Sequence, residues 1–473
     1  AGDHTFPGVG GLKFDWRYAF SNSDAEQPDR KFVTYQRDAL GRYILKENYR
    51  TWSTLSEDTK TTMANLEYPI GSARVKGGYL HSKRDRSFDI EAWVTDTSKL
   101  RGAARAMVLL PLETIFDAEN YGEGTDKFGF VLSSPFSGAY TGSHDLTSWY
   151  GMADVPFRVL NQNFRVAGGA RVEDSRQQVD SPVAADDPTI RSAVIDETDV
   201  LPSANLTYQV TRSSNIRLAY FKSVNRPEFR EMANVGYRDY DRNQNVLGNP
   251  DLKRATIKNY DTRFEFFPGV GEVLAVSWFY KDLTDAIEEQ LLPSPDRYVR
   301  TWFNSPTGKN YGYELEARKN LGFIWSGLEN VVIQANYTKV TSEVAYTDTY
   351  TDSIGTPVSE TNTRTMQGQA PYTVNAGVTY SVPGIGLSMS FLFNRFGRRL
   401  DAVGDTRDQD VFEETRDLYD FALTEEFTKW MRLKFSVKDI AAKDIVYTFG
   451  ESGSIWEQVK VGTTYAISLS FSL

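Results

Sequence analysis

The stretch Val461-Gly-Thr-Thr-Tyr-Ala-Ile-Ser-Leu-Ser-Phe-Ser-Leu473 decides the fold. Val461, Thr463, Tyr465, Ile467, Leu469, Phe471 and Leu473 are large and mostly apolar, whereas Gly462, Thr464, Ala466, Ser468, Ser470 and Ser472 between them are small or polar. Successive side chains of a strand point to opposite faces, so a period of two places this segment between an apolar and a wetter medium. The same period recurs up the chain. Leu12, Phe14, Trp16, Tyr18 and Phe20 interleave with Lys13, Asp15 and Arg17, and Tyr372, Val374, Ala376, Val378 and Tyr380 interleave with Thr373, Asn375, Gly377 and Thr379. Ala204, Leu206, Tyr208 and Val210 repeat the pattern, as do Leu433, Phe435 and Val437. No helical stripe of three or more turns competes with it. The fold is all-β.

Composition bounds what such a fold can be. At 473 residues the chain could by length alone hold two or three soluble domains. Its mean hydropathy of −0.45 and scattered charges exclude a helical membrane protein, which needs runs of about 20 apolar residues. Ala106 to Pro111 is far too short for that. A 13% aromatic content argues against disorder. The net charge of −10, without basic blocks, argues against nucleic acid as the main partner. With no Cys there is no disulfide framework and no thiolate site. The opening Ala1-Gly-Asp-His-Thr-Phe6 lacks the basic and apolar regions of a signal peptide, so the chain reads as mature, cytosolic or the later part of something longer.

The connections separate a soluble sandwich or propeller from a membrane barrel. Tight turns fall at Pro69-Ile-Gly71, Thr211 to Ser214, Pro268-Gly-Val-Gly271 and Val382-Pro-Gly-Ile385. Long polar stretches cover roughly 86–143, 174–199, 226–255, 283–309, 342–371 and 398–415. Short and long connections alternate along about 16 strands, and segments 31–37 and 42–48 could extend a hairpin above the sheet edge. One end of the sheet is trimmed and the other elaborated, as in an antiparallel transmembrane β-barrel of the outer membrane. Strands of about 10 residues suit a tilted crossing, and closure leaves no hydrogen-bonding edge in lipid. Phe266, Phe267, Trp278, Phe279, Tyr280, Tyr372 and Tyr380 suit interfacial girdles. If the last strand runs down to the periplasm, parity puts every long loop outside.

Covalent chemistry finds little support. His4, His81 and His144 form no pair at metal-ligand spacing, and His81 beside Lys83 and Arg84 reads as a solvated rim residue. Gly269-Val-Gly271 and Gly384-Ile-Gly386 lack a following helix and a third glycine, so they are hairpin turns and hold no nucleotide. Asp239-Tyr-Asp241-Arg-Asn243 begins like a calcium loop, but Gln244 and Pro250 occupy its glycine and glutamate positions. Looser calcium binding there, or at Asp348 and Asp352, stays open. Glu288 with Glu289, and Glu314 with Glu316, read as charge-balanced wall residues and not as a catalytic pair. The expectation is a protein that is not an enzyme and carries no cofactor.

Several strings resemble TonB-dependent outer-membrane receptors: Asn225-Arg-Pro-Glu-Phe229, Gly248-Asn-Pro-Asp-Leu-Lys253, Asn259-Tyr-Asp261, Phe279-Tyr-Lys281, Gly312-Tyr-Glu-Leu-Glu316, Asn336-Tyr-Thr338 and Gln369-Ala-Pro-Tyr-Thr-Val-Asn-Ala-Gly377. The order and spacing across roughly 200–380 carry the resemblance, which runs more loosely from 1 to 473. It implies a barrel of 22 strands preceded by a plug and a TonB-binding segment. Residues 1–473 then read as one barrel domain, the C-terminal part of a longer receptor. Phe471-Ser-Leu473 lacks the terminal aromatic common in such proteins, which leaves Leu473 open as the true end.

The resemblance also implies active uptake of a scarce nutrient, such as a siderophore, glycan or other small ligand. Its partners would be outer-membrane lipid, the TonB complex through the plug, and the ligand, with a surface lipoprotein left open. Loop 226–255 with Tyr237, Asp239, Tyr240 and Asp241, and loop 283–309 with Tyr298 and Trp302, are the expected ligand contacts. A passive 16-stranded porin is the alternative, and a soluble β-rich carbohydrate-binding protein or hydrolase is another. Pro227 is expected to end a ladder, Gly248-Asn-Pro250 to turn the chain, and Gly312 to ease strand curvature rather than admit a close neighbour.

Overall fold

Period two becomes one antiparallel meander in the computed structural model, which describes residues 1–472 other than 134–137, 185–186, 240, 241, 243, 295–297, 352–356, 383 and 451. Its strands are β1 (Gly2–Phe6), β2 (Leu12–Arg37), β3 (Tyr43–Ile70), β4 (Ala73–Asp96), β5 (Gly138–Val159), β6 (Gln162–Ala184), β7 (Asp187–Thr211), β8 (Ser214–Asn225) and β9 (Ala255–Phe266). They continue with β10 (Val273–Leu292), β11 (Val299–Asn320), β12 (Val331–Thr351), β13 (Tyr372–Val382), β14 (Leu387–Phe396), β15 (Arg416–Thr428), β16 (Met431–Lys438) and β17 (Thr464–Phe471). Each pairs with the next in sequence, and short strands at Gly129–Leu132, Gly236–Asp239, Gln244–Leu247 and Pro357–Arg364 complete the 21-stranded sheet. The expected strands are all present, with β1 in addition.

Register keeps the two media apart. Val378 lies opposite Phe391, Phe391 opposite Phe421, Leu423 opposite Phe435 and Phe435 opposite Ile467, so these bulky side chains meet one another. This face looks outward. Trp278 is 54% exposed and Ile467 74%, and a soluble protein does not leave so wide an apolar surface bare. The other face is wet. Asp154 binds Arg74 and Arg165, each at 2.7 Å, and Glu265 binds Arg217 at 2.8 Å and Arg263 at 2.9 Å. Arg263 also reaches Glu316 at 2.7 Å, so that carboxylate is a wall residue, as its spacing suggested.

Three expectations are corrected. Phe279 faces away from Trp278 and Tyr280 and so leaves the girdle, because adjacent strand residues cannot share a face. The stretches 174–199 and 283–309 are not loops but mostly ladder: Gln178 pairs with Val194 and Glu289 with Trp302. In these stretches one face is covered by folded connections, as Val179, Ile195 and Leu291 are, so the outward apolar alternation fades while the backbone pairing continues. The hairpin of 31–37 and 42–48 does extend the sheet, with Arg37 opposite Tyr43. Gly312 admits a close neighbour. A Cβ there would lie 1.9 Å from the Lys339 carbonyl oxygen and 3.0 Å from the Phe279 ring.

The buried apolar clusters sit at the elaborated end. Leu100, Ile115 and Phe128 pack with Leu45, and Leu291, Ala402 and Val411 pack beneath a second sheet of Arg399–Ala402, Val411–Glu413, Ile445–Phe449 and Ile455–Val459. The long connections are therefore folded bodies standing on the wall. Among the described residues, no buried apolar cluster lies at the trimmed end.

Candidate functional site

The segment after β8 turns inward, and its first five residues show why. Arg226 reaches Glu173 at 3.0 Å, and Pro227, which has no N–H to extend the ladder, offers its carbonyl to Gln177 Nε2 at 2.7 Å. Glu228 caps the short helix Phe229–Met232 reciprocally with Glu231. Phe229 and Met232 are fully buried against Tyr140, Val179 and Ile195 of the wall, with the Arg84 guanidinium 4.4 Å above the Phe229 ring. Burial raises the Glu231 carboxyl above its ordinary value, against the Glu228 backbone N–H that lowers it.

Gly248-Asn-Pro250 closes the same body. A Cβ on Gly248 would stand 2.1 Å from the Ala233 carbonyl oxygen, so the turn can rest on the helix only as glycine. Asn249 donates its backbone N–H to the Glu231 carbonyl at 2.6 Å and its side chain to the Trp302 carbonyl at 2.8 Å. The two strings, separate in sequence, are two halves of one tertiary contact.

Between this body and β2 to β5 lies a cavity of about 460 Å³. Its lining includes Gln27, Thr51, Ser53 and Tyr140, the guanidiniums of Arg30, Arg86, Arg230 and Arg238, and one carboxylate, Asp239. Arg86 is anchored by Glu57 through Nε at 2.7 Å, and Arg230 lies flat on the Tyr237 ring, 3.3 Å from its centroid. Burial pushes the Tyr237 phenol up to about 12, so it stays a neutral hydroxyl at physiological pH. With Leu55, Phe88, Ile90, Ala233 and Val235 completing the lining, the cavity sets four guanidiniums and several hydroxyls beside an apolar side, which suits an anion whose oxygen acceptors are carried on an apolar body.

Of the six expected contact residues, Tyr237 and Asp239 line this cavity. Trp302, only 9% exposed, packs with Val246 and Leu252, and Tyr298 meets the edge of Trp456 at 5.1 Å under the second sheet. Tyr240 and Asp241 lie outside the described residues, as does Asp352 and the side chain of Asp348. Among the described residues, no three His, Asp or Glu side chains gather at metal spacing. The arginines were missed. Arg84, Arg86, Phe88 and Ile90 share one face in alternation, a signal hidden by reading 86–143 as one long connection.

A second charged group ties the loops together. Glu288 accepts from both Nη atoms of Arg364 at 2.9 Å, from the Gln367 backbone N–H at 2.8 Å and from the Ser305 hydroxyl. Next to it Arg300 bridges Glu289 and, at 3.0 Å, Asp401, which also holds Arg242. These bonds join β10 and β11 to the connections after β12 and β14.

The family model described as TonB dependent receptor-like, beta-barrel, matches residues 3–436. No curated protein sequence matches the chain. Among solved structures, the siderophore receptor PiuA from Acinetobacter baumannii is similar at 12% identity and a TM-score of 0.62 over 97% of this chain and 62% of that one. The ferric-catecholate import receptor Fiu from K12 E. coli, at 13% identity and a TM-score of 0.60, is covered over 62% of its length by 97% of this chain. The unliganded ferric citrate transporter FecA, at 14% and 0.59, is covered over 59% of its length by 97% of this chain. The chain thus spans about three-fifths of those receptors, and at such identity the likeness shows the fold alone.

Proposed function

The chain belongs to the TonB-dependent receptor family, and from that premise we propose that it forms the wall of an outer-membrane receptor that takes up a scarce, negatively charged nutrient. The observation that carries the reading is the arginine-lined cavity at the elaborated end of a sheet whose bulky face looks outward. The solved receptors of the same fold are named for ferric citrate, ferric catecholate and siderophore ligands. Chelates of that kind carry the oxygen anions that guanidiniums bind best. In this reading the loops and a plug close over the ligand, TonB draws on the plug from the periplasm, and the ligand passes along the charged inner face. The wall itself makes and breaks no covalent bond.

The test is a binding and transport series on the full-length receptor. Ferric citrate and a ferric catecholate are titrated against a neutral oligosaccharide, and Arg86→Gln and Arg230→Gln are compared with the parent. Loss of one charge-assisted contact predicts about ten- to hundredfold weaker binding of the anionic ligand. Uptake should stop in cells without TonB. Steady open conductance of the full-length protein in planar bilayers would instead make it a porin, and recovery in buffer without detergent would remove it from the membrane.

A further inference from the structure

Glu231 is an acid that the arginine-lined cavity does not use. It sits in the short helix Phe229–Met232 and accepts the Glu228 backbone N–H at 3.0 Å. On its far side it lines a separate cavity of about 260 Å³, together with Glu288 and Glu289 of β10 and Trp302 of β11. Every cation around that cavity is already engaged. Arg300 bridges Glu289 and Asp401, Arg364 holds Glu288, and Arg226 reaches Glu173 and, at 3.5 Å, Asp199. Arg84 lies 3.5 Å from Glu228, and Arg230 is turned onto the Tyr237 ring. The neutral amide of Gln367 is bonded to Glu289 and to the Asp401 carbonyl. Among the described residues, no lysine or arginine forms an ion pair with Glu231.

An ionised Glu231 therefore stands between the charges of Glu228 and Glu289 with no counter-ion. Burial, then those two charges, hold its carboxyl above the ordinary 4.5. The same turn seats the loop body. The Glu231 carbonyl takes the Asn249 N–H at 2.6 Å, and the Asn249 side chain binds the Trp302 carbonyl at 2.8 Å. Arg230, Ala233, Val235 and Tyr237, the near neighbours of Glu231 in sequence, form the loop side of the arginine-lined cavity. A charge set against Glu289 works against the seat on which that side of the cavity rests.

We propose that Glu231 is a pH-operated latch on the arginine-lined cavity: protonated, it leaves the body seated and the ligand held, and ionised, it loosens the body and lets the ligand go. The proposal rests on the ligand site given under Proposed function. A raised acid stabilises fully below its unfolded value, and the contribution fades as pH rises through the folded one. Holding is therefore strongest in acid and weakens toward neutral pH.

The experiment uses the full-length receptor in detergent with a cysteine in place of Val235, buried in the cavity wall, or of Leu40, exposed on the β2–β3 turn. The ratio of their maleimide rates removes the titration common to both thiols. Between about pH 5 and about pH 7.5 this ratio should rise about tenfold, the cost of leaving a buried group without a partner, and stay level in E231Q. E329Q, at the trimmed end, should keep the rise. Ferric citrate and the ferric catecholate should bind about tenfold more weakly at the higher pH, relative to E231Q at the same pH, which cancels the titration of the chelates. A level ratio in the parent, an equal rise in E231Q, or a binding profile that E231Q leaves unchanged would each overturn the proposal. Failure of both chelates to bind at either pH would overturn the functional reading instead, and the cysteine ratio, which needs no ligand, tells the two apart.

Discussion

Replacing Arg364 with Leu would strand Glu288, whose side chain is 1% exposed, without its bidentate partner. Breaking a buried pair from one side costs about 3–5 kcal/mol, because the remaining charge has neither water nor a counter-ion. The Gln367 N–H and Ser305 hydroxyl remain as donors, which favours the lower end of that range. At 1.4 kcal/mol per tenfold, the open fraction of the loop body should rise about a hundredfold or more. Amide exchange on the full-length protein in detergent reads this directly. Peptides over 284–292 and 299–306 should lose protection by that factor, while β13 keeps its own. E288Q/R364M should recover part of the loss, since a neutral pair no longer buries a lone charge. Protection within about threefold of the parent in R364L would refute the idea that this pair holds the loops.

Other outcomes follow from single contacts. Gly312→Val drives a side chain into the Lys339 carbonyl and should prevent the heat-resistant folded band from forming in gel-shift assays, whereas the outward substitution Tyr313→Phe should not. Asn249→Ala removes the bond to the Trp302 carbonyl and should loosen 226–252 by about 1–3 kcal/mol, seen as faster exchange in Phe229–Met232. Hydrogen bonds from Arg50 hold the Asp29 carboxyl, which lies beyond the lipid-facing part of β2, below its ordinary value of 3.8. A lowered acid stabilises above its unfolded value and is lost as pH falls through the folded one, so the upper β2–β3 hairpin should loosen only below about pH 4, and R50Q should abolish that step. Glu231 runs the other way. Its value is raised above 4.5, so its contribution is complete below that and fades as pH rises through the folded value. Exchange in 228–233, corrected for intrinsic rates, should therefore speed up on passing toward neutral pH in the parent and stay level in E231Q.

The lipid-facing half of the fold was legible because its cause is local: Val374, Ala376 and Val378 must each meet lipid, and their neighbours must not. Above the membrane that cause disappears. Gln178 and Val194 face solvent, while Val179, Ala193 and Ile195 on the other face are covered by the connection after β8, a tertiary contact that their spacing does not announce. Asn225 to Phe229 and Gly248 to Lys253 could be recognised as strings, yet their contact through Asn249 is tertiary and no period reveals it. Tyr237 and Asp239 were within reach because loop aromatics and acids draw attention. The cavity arginines come from β2, β4 and the connection after β8 and converge only in the folded chain, so Arg30 and Arg86 look alone in sequence.

The account stands on a wall with lipid on one face and water on the other, and residues 1–473 hold no cysteine to compete with one introduced among them. Single cysteines from Thr373 to Thr379 in the full-length protein, spin-labelled in bilayers, should alternate. Labels at Val374, Ala376 and Val378 should collide with oxygen, and those at Thr373, Asn375, Gly377 and Thr379 with a water-soluble nickel chelate. Equal accessibility to both reagents along the strand, or oxygen contact at the odd positions, would contradict it.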